Sequence, residues 1–245
     1  MPGPSSSTAQ AVSFAWAASD VRIGLTMRVV HAQGYSEPRD AISHDWIRLL
    51  EDLGWSPRLI PNSVADVSSM LDEVDGLVLT GGNDLTTPVS GLDAGEVSDT
   101  APERDQQEAR LLDEAARRAL PTVGICRGLQ MINCHYGGRL VRVDAATHVA
   151  THHEVRVDGE PWRSLLGAQR DVNSFHNAGI PADGVGEDLV VFASAEDGSV
   201  EGLRHRRLPL VGLMWHPERC DPFDTADRVL LSRLFTDGCF WSDEG

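Results

Sequence analysis

The chain has 245 residues and carries 21 Lys and Arg against 37 Asp and Glu, a formal net charge of −16 at pH 7. That balance excludes a general nucleic-acid binder, which needs cations to replace the counterions around phosphates. With 41% hydrophobic and 24% charged residues, the composition is that of a globular chain with a sizeable core, not a disordered or collagen-like one, and a single α/β domain over residues 21–240 is expected.

Residues 1–20 lack the basic start and continuous apolar stretch of a secretion signal and read as a flexible lead-in. Nothing approaches the roughly 18 apolar residues of a membrane span. Cys126, Cys134, Cys220 and Cys239 show no C-x-x-C pairing, so reduced thiols in a cytoplasmic protein are expected.

Short apolar runs alternate with helical periods, the pattern of a βαβ protein. Residues 21–27 predict the first strand. Over residues 39–53, Ile42, Trp46, Leu49, Leu50 and Leu53 recur at helical spacing, and Gly54 ends the helix. Trp46 and Trp55 belong to the core or its edge. Residues 74–80 read as a buried strand running into Gly81-Gly82-Asn83-Asp84, and glycines there let the backbone approach a ligand. Residues 102–120 predict a long helix that opens with acids and closes on Arg117 and Arg118, as the helix dipole favours. Its Arg104, Asp105 and Glu108 are expected to cap it or face solvent.

Residues 122–125 predict a short strand, followed without a linker by a helix through Leu129, Met131 and Ile132. Residues 137–180 show hairpin-like alternation. Strands return at residues 189–193 and 208–214. A last helix over residues 225–235 is expected to turn Ala226, Val229, Leu230 and Leu234 inward.

Gly124-Ile125-Cys126-Arg127-Gly128 has the G-x-Nuc-x-G form of a nucleophile elbow, in which small residues flank a nucleophile on a strand-to-helix turn. There the thiol meets a helix N-terminus, whose dipole favours the thiolate. A thiolate needs a base oriented by a third group. Met214-Trp215-His216-Pro217-Glu218 follows an apolar run, so His216 stands at a strand end with Glu218 two residues on. The N–H of Arg127 and an N–H of Gly81 or Gly82 would form the oxyanion hole.

GICRGLQ, LTGGNDL and MWHPE, in this order, resemble the elbow, oxyanion loop and His-x-Glu segment of the class I glutamine amidotransferase superfamily. The nearest branch is the γ-glutamyl-γ-aminobutyrate hydrolase-like, or peptidase C26, group. The resemblance covers residues 23–235 and implies a flavodoxin-like α/β fold with a mainly parallel central sheet. It implies Cys126 as nucleophile, His216 as general base and acid, and Glu218 as its orienting partner. It further implies substrate contacts from Gln130 and from Asn173-Ser174-Phe175-His176, which matches an N-S-[FY]-H segment. Arg127 stands where ammonia-feeding domains carry an apolar residue, which favours a hydrolase. Met214 departs from the family, which has glutamine there. Tyr35-Ser36-Glu37-Pro38-Arg39-Asp40 resembles a subset that hydrolyses γ-glutamyl nucleoside phosphoramidates, and Arg28, Arg39, Arg127 and Arg142 are the candidate cations for an anionic substrate.

The function so implied is hydrolysis of a γ-glutamyl amide to glutamate and an amine or amidate through a thioester, with a γ-glutamyl ligase upstream and neither nucleic acid nor membrane as partner. The alternatives are a glutaminase subunit delivering ammonia to a separate synthase, and a non-catalytic binding protein on the same fold. Cys134, Cys220 and Cys239 read as structural or incidental. His148, His152 and His153 are clustered, but no Cys or carboxylate joins them at ligand spacing, so a loop facing substrate or solvent is expected and neither metal nor cofactor. His176 fits pocket lining and a structural role equally well.

Overall fold

The structure, a computed structural model, describes residues 21–242; the expected N-terminal lead-in lies outside them. The first strand, β1 (Arg22–Thr26), is followed by a two-stranded ribbon of Arg28–His31 against Pro38–Ala41. The first helix, α1 (His44–Asp52), therefore starts later than the apolar spacing predicts. Residues 39–41 pair as a strand, and Ser43 stops the helix from extending backwards by accepting a hydrogen bond from Asp45 N–H. Then come β2 (Ser56–Ile60), β3 (Gly76–Leu79), α2 (Pro102–Arg118), β4 (Thr122–Ile125) and α3 (Arg127–His135). The second half holds β5 (Val149–Val157), β6 (Gln169–Phe175), β7 (Leu189–Ala195), β8 (Val200–His205), β9 (Leu210–Leu213) and α4 (Thr225–Asp237).

The nine strands form one sheet in the order β2-β1-β3-β4-β9-β8-β7-β5-β6. The first five are parallel and the last four join antiparallel. The core is thus parallel, and the alternating stretch after residue 137 builds its antiparallel wing. Sequence reading missed β2, whose pattern is largely exposed at the sheet edge, and β8.

Side chains alternate across the sheet, so each strand serves two cores. Val78, Val123, Ile125 and Leu213 meet Trp46 and Leu49 of α1 and Leu230 and Leu234 of α4 on one face. Leu77 and Leu79 meet Leu111 of α2 and Leu129 and Ile132 of α3 on the other. Trp46 and Trp55 are both buried. Val229 is a correction: α4 inserts Leu230, Leu231, Leu234 and Phe235, one stripe at helical spacing, and leaves Val229 on the outer side, 41% exposed.

Register sets up the site. Leu79 lies beside Gly124, and Leu213 beside Ile125. The chain therefore leaves β3 at Gly81, β4 at Cys126 and β9 at His216 along one carboxyl edge, where open α/β sheets bind ligands. No helix among the described residues is long and apolar enough to cross a membrane.

Candidate active site

Cys126 caps α3 with φ 52° and ψ −103°, a conformation that costs a non-glycine residue on the order of 1–3 kcal/mol. The tight turn is possible because of the glycines around it. A Cβ on Gly128 would lie 2.1 Å from the Leu79 carbonyl oxygen, and one on Gly124 2.5 Å from the Gly128 backbone. The first helical bond is donated by Gln130 N–H to the Cys126 carbonyl, 3.0 Å. The N–H groups of residues 127–129 have no acceptor within the helix, so they form a positive end behind the thiol.

His216 follows β9 and is buried. Its Nδ1 lies 2.7 Å from Glu218 Oε1, a contact fixed by the single turn Pro217–Arg219. Asn173 grips the His216 backbone on both sides: His216 N–H donates to Asn173 Oδ1 at 2.8 Å, and Asn173 Nδ2 donates to the His216 carbonyl at 2.9 Å. Nε2 is the ring nitrogen left for the thiol. An ideal Cβ on Gly81 would lie 3.1 Å from His216 Cε1 and 3.8 Å from Cys126 Cβ, so imidazole and thiol meet across this glycine.

Burial opposes ionisation of Cys126, but the charges of His216, His176 and Arg219 outweigh it and hold the thiol below its ordinary value. Burial likewise opposes charging of His216, and Glu218 with Cys126 overcomes it, raising the imidazole to about 9. Both shifts favour the thiolate–imidazolium form of the pair, which suits a nucleophile with a proton donor beside it.

Gly81 and Gly82 bend over the thiol, Gly82 at φ +100° with the Arg28 guanidinium 2.7 Å from where its Cβ would be. Below this loop sits a buried ionic network. Arg104 donates to the carbonyls of Thr80 at 2.6 Å and Gly81 at 3.1 Å, and to Glu108 at 2.9 Å. Glu108 also pairs with Arg127, which in turn pairs with Asp105. Arg104, Asp105 and Glu108 therefore do not face solvent. They anchor the Gly81-Gly82 loop to α2, and the Arg127 guanidinium is paired there with Glu108 and Asp105.

A cavity of about 220 Å³ opens onto Cys126 and is lined by Gly82, Asp84, Asp99, Gln130, Phe175 and His176. Gln130 donates to the Ala178 carbonyl at 2.8 Å and forms one wall. Phe175 meets His216 edge-on, with Arg219 stacked over its ring at 4.3 Å. Asn173 and Ser174 do not line the cavity: Asn173 clamps His216, and Ser174 Oγ donates to the His148 carbonyl at 2.7 Å. Asp84, Asp99 and Arg219 escaped sequence reading, although Arg219 directly follows the His-x-Glu segment.

Of the candidate cations, Arg127 lines the Cys126 cavity but is paired with Glu108 and Asp105, and Arg28 lines the adjoining crevice with Gly81, Glu218 and Arg219. Arg39 pairs with Glu37 and Tyr35, and Arg142 is exposed beyond the Cys126 cavity. Met214 packs in the core, so the departure there does not disturb the triad. Cys134 and Cys220 are partly buried thiols and Cys239 is exposed; burial raises all three, Cys134 to about 12.

A γ-glutamyl-CDP-amidate hydrolase of Campylobacter jejuni is 31% identical over 199 residues, 80% of this chain and 90% of that protein. A γ-glutamyl-γ-aminobutyrate hydrolase of Escherichia coli O157:H7 is 28% identical over 237 residues, covering 87% and 92%. A glutamine amidotransferase structure from Thermotoga maritima superimposes with a TM-score of 0.58 at 16% identity over 88% of this chain and 83% of that one, which establishes the fold. The Peptidase C26 family profile matches residues 22–218, so the chain belongs to the peptidase C26 family and is a hydrolase of amide bonds.

Proposed function

We propose that the protein cleaves a γ-glutamyl amide to glutamate and the free amine or amidate through a thioester on Cys126. The Cys126 thiolate attacks the γ-carbonyl carbon, and the oxyanion accepts hydrogen bonds from Arg127 N–H and the glycine loop. Collapse breaks the C–N bond while His216 gives its proton to the leaving nitrogen. His216 then takes a proton from water as the hydroxyl adds to the thioester, and a second collapse frees glutamate and restores the thiolate.

The observation that carries this reading is the strained Cys126 at the floor of a cavity, facing across Gly81 a His216 whose Nδ1 is 2.7 Å from Glu218 Oε1. The cavity also supports the substrate class. Asp84 and Asp99 in its wall supply negative charge for an α-ammonium group. At about 220 Å³ it is smaller than the roughly 300–1,000 Å³ of pockets for larger ligands, so it suits an amino-acid-sized acyl group with the leaving group at the mouth. There Arg28 and Arg219 stand ready for an anionic leaving group. Because γ-glutamyl amides do not form spontaneously, an ATP-dependent ligation must supply the substrate.

The test is glutamate release by purified protein, with Cys126→Ala as control, across L-glutamine and a panel of γ-glutamyl amines and γ-glutamyl nucleoside phosphoramidates. We expect one γ-glutamyl amide to exceed glutamine in kcat/KM by about 10³, some 4 kcal/mol of transition-state discrimination, with no turnover by Cys126→Ala. Slow reaction with glutamine alone would transfer the assignment to ammonia delivery.

A further inference from the structure

Behind the catalytic cavity, the antiparallel wing gathers three imidazoles around a carboxylate. His148 ends the short helix Ala145–His148, His153 lies on β5, His176 follows β6 and Glu201 lies on β8. His148, His176 and Glu201 are all at least 97% buried. His152, the third histidine of the sequence cluster, is not part of this group: it is exposed and pairs with Asp171 at 2.9 Å.

The outer nitrogen of each imidazole is committed to an oxygen that can only accept. His148 Nε2 lies 2.9 Å from Asp197 Oδ2, His153 Nδ1 3.2 Å from the Thr147 carbonyl, and His176 Nδ1 3.1 Å from the Ala178 carbonyl. These contacts place the ring protons outside and turn three lone pairs inward. The inward atoms converge: His148 Nδ1 to His176 Nε2 is 3.3 Å, His176 Nε2 to Glu201 Oε1 3.5 Å, His148 Nδ1 to Glu201 Oε1 3.9 Å, and His153 Nε2 to Glu201 Oε2 3.4 Å. Among the described residues, neither Glu201 oxygen nor His153 Nε2 has a hydrogen bond of good geometry.

Four such acceptors facing one another are reconciled by a cation between them. Ligands about 2.0–2.2 Å from a tetrahedral Zn²⁺ are themselves about 3.3–3.6 Å apart; three of these pairs, at 3.3, 3.4 and 3.5 Å, have that spacing, and the fourth, at 3.9 Å, closes to it on binding an ion. Donors of His148, His153 and Glu201 lie within 4.8 Å of one another. The outer contacts are those that orient metal-bound histidines, a carboxylate or carbonyl on the far ring nitrogen. A cavity of about 820 Å³ lined by Thr147, His148, His153, Asp197 and Gly198 gives access from solvent.

We propose that His148, His153, His176 and Glu201 bind one divalent transition cation of the Zn²⁺ class, selected by imidazole nitrogens with a single carboxylate. The ion ties β5, β8 and the end of β6 together. Through His176, which lines the Cys126 cavity, it also fixes one wall of the catalytic site. Sequence reading found no carboxylate for the histidines because Glu201 stands 48 residues beyond His153 and reaches it only across the folded wing.

The experiment uses the full chain without an affinity tag, as the Cys126→Ala protein so that the catalytic thiolate cannot hold the metal. After treatment with EDTA and desalting, the protein is titrated with Co²⁺ and then Zn²⁺. We expect one equivalent of Co²⁺, with visible d–d bands and no sulfur-to-cobalt charge transfer, displaced by one equivalent of Zn²⁺. Glu201→Gln should weaken binding by at least about 100-fold, and Asp197→Asn, which alters only the partly exposed second carboxylate, by about 10-fold to 100-fold. Absence of stoichiometric binding, a sulfur charge-transfer band, or affinity unchanged in Asp197→Asn would overturn the proposal. A cluster that holds protons alone gives the first of these results.

Discussion

At Cys126 and His216, burial works against charge and neighbouring charges win. The stabilised form is the ion pair, so the two groups titrate in opposite directions from their ordinary values of 9.0 and 6.5. This orders the pH dependence of the proposed reaction. Attack requires the thiolate, present above the lowered Cys126 value, and expulsion of the leaving nitrogen requires the His216 proton, lost as pH rises through about 9. We expect kcat/KM to fall about tenfold per pH unit beyond 9, while alkylation of Cys126, which needs only thiolate, does not fall there. Parallel loss of both rates above pH 9 would show that the imidazolium is not the proton donor. Asn173 acts at the same scale but through backbone: its two hydrogen bonds to His216 hold the imidazole where Glu218 can orient it.

The elements that carry the nucleophile are β4 and α3, and their closeness depends on missing side chains. Gly128 lies against the end of β3, and its absent Cβ would be 2.1 Å from a backbone oxygen, an atom that cannot rotate away. Gly128→Ala must push α3 off the sheet, and we expect a loss of about 1–3 kcal/mol in urea unfolding together with a marked fall in turnover. Unchanged stability and activity would mean that the elbow tolerates a displaced helix. These glycines were legible because the elbow is a local motif. The start of α1 was not: apolar spacing ran on through residues 39–42, and only pairing with the Arg28–His31 strand reveals that the helix begins after Ser43. Val229 was misplaced for a related reason. Periodicity defines a stripe, and the sheet beneath α4 selected the one containing Leu231 and Phe235.

Across the whole molecule, several carboxylates are folded into positions that favour their charged forms despite burial. Burial opposes ionisation of Glu108, and the Arg104 and Arg127 charges hold it below its ordinary 4.5. Asp197 is held at about 2, against burial, by Ser199 and His148. A lowered carboxylate contributes stability above its unfolded value and loses it as pH falls through its folded one. We therefore expect Tm to drop steeply below about pH 4.5, with Glu108→Gln flattening part of that drop. A Tm independent of pH down to 3 would contradict the buried ion pairs. The charges are spread over α2, α3 and the β7–β8 turn, so the effect belongs to the molecule.

The sequence by itself determined the parts of this protein that lie within a few residues of one another. A cysteine between two glycines, a histidine two residues from its glutamate and a glycine pair after an apolar run marked Cys126, His216, Glu218 and Gly81-Gly82 as the candidate site, and the fold brings them together, because backbone geometry over so short a span leaves little choice. It also announced the parallel core, whose strands are continuous apolar runs. Only the tertiary structure decided what crosses between elements. Arg127 could supply its side chain to a substrate or to Glu108 and Asp105, and packing of α3 on α2 chose the latter. Asn173 and Ser174, neighbours of Phe175 and His176, hold the backbone of His216 and His148 instead of lining the cavity, a division that their hydrogen-bond partners on other elements decide. Glu201 meets three histidines because sheet order places β8 near β5 and the end of β6, and a one-dimensional spacing carries no trace of that order.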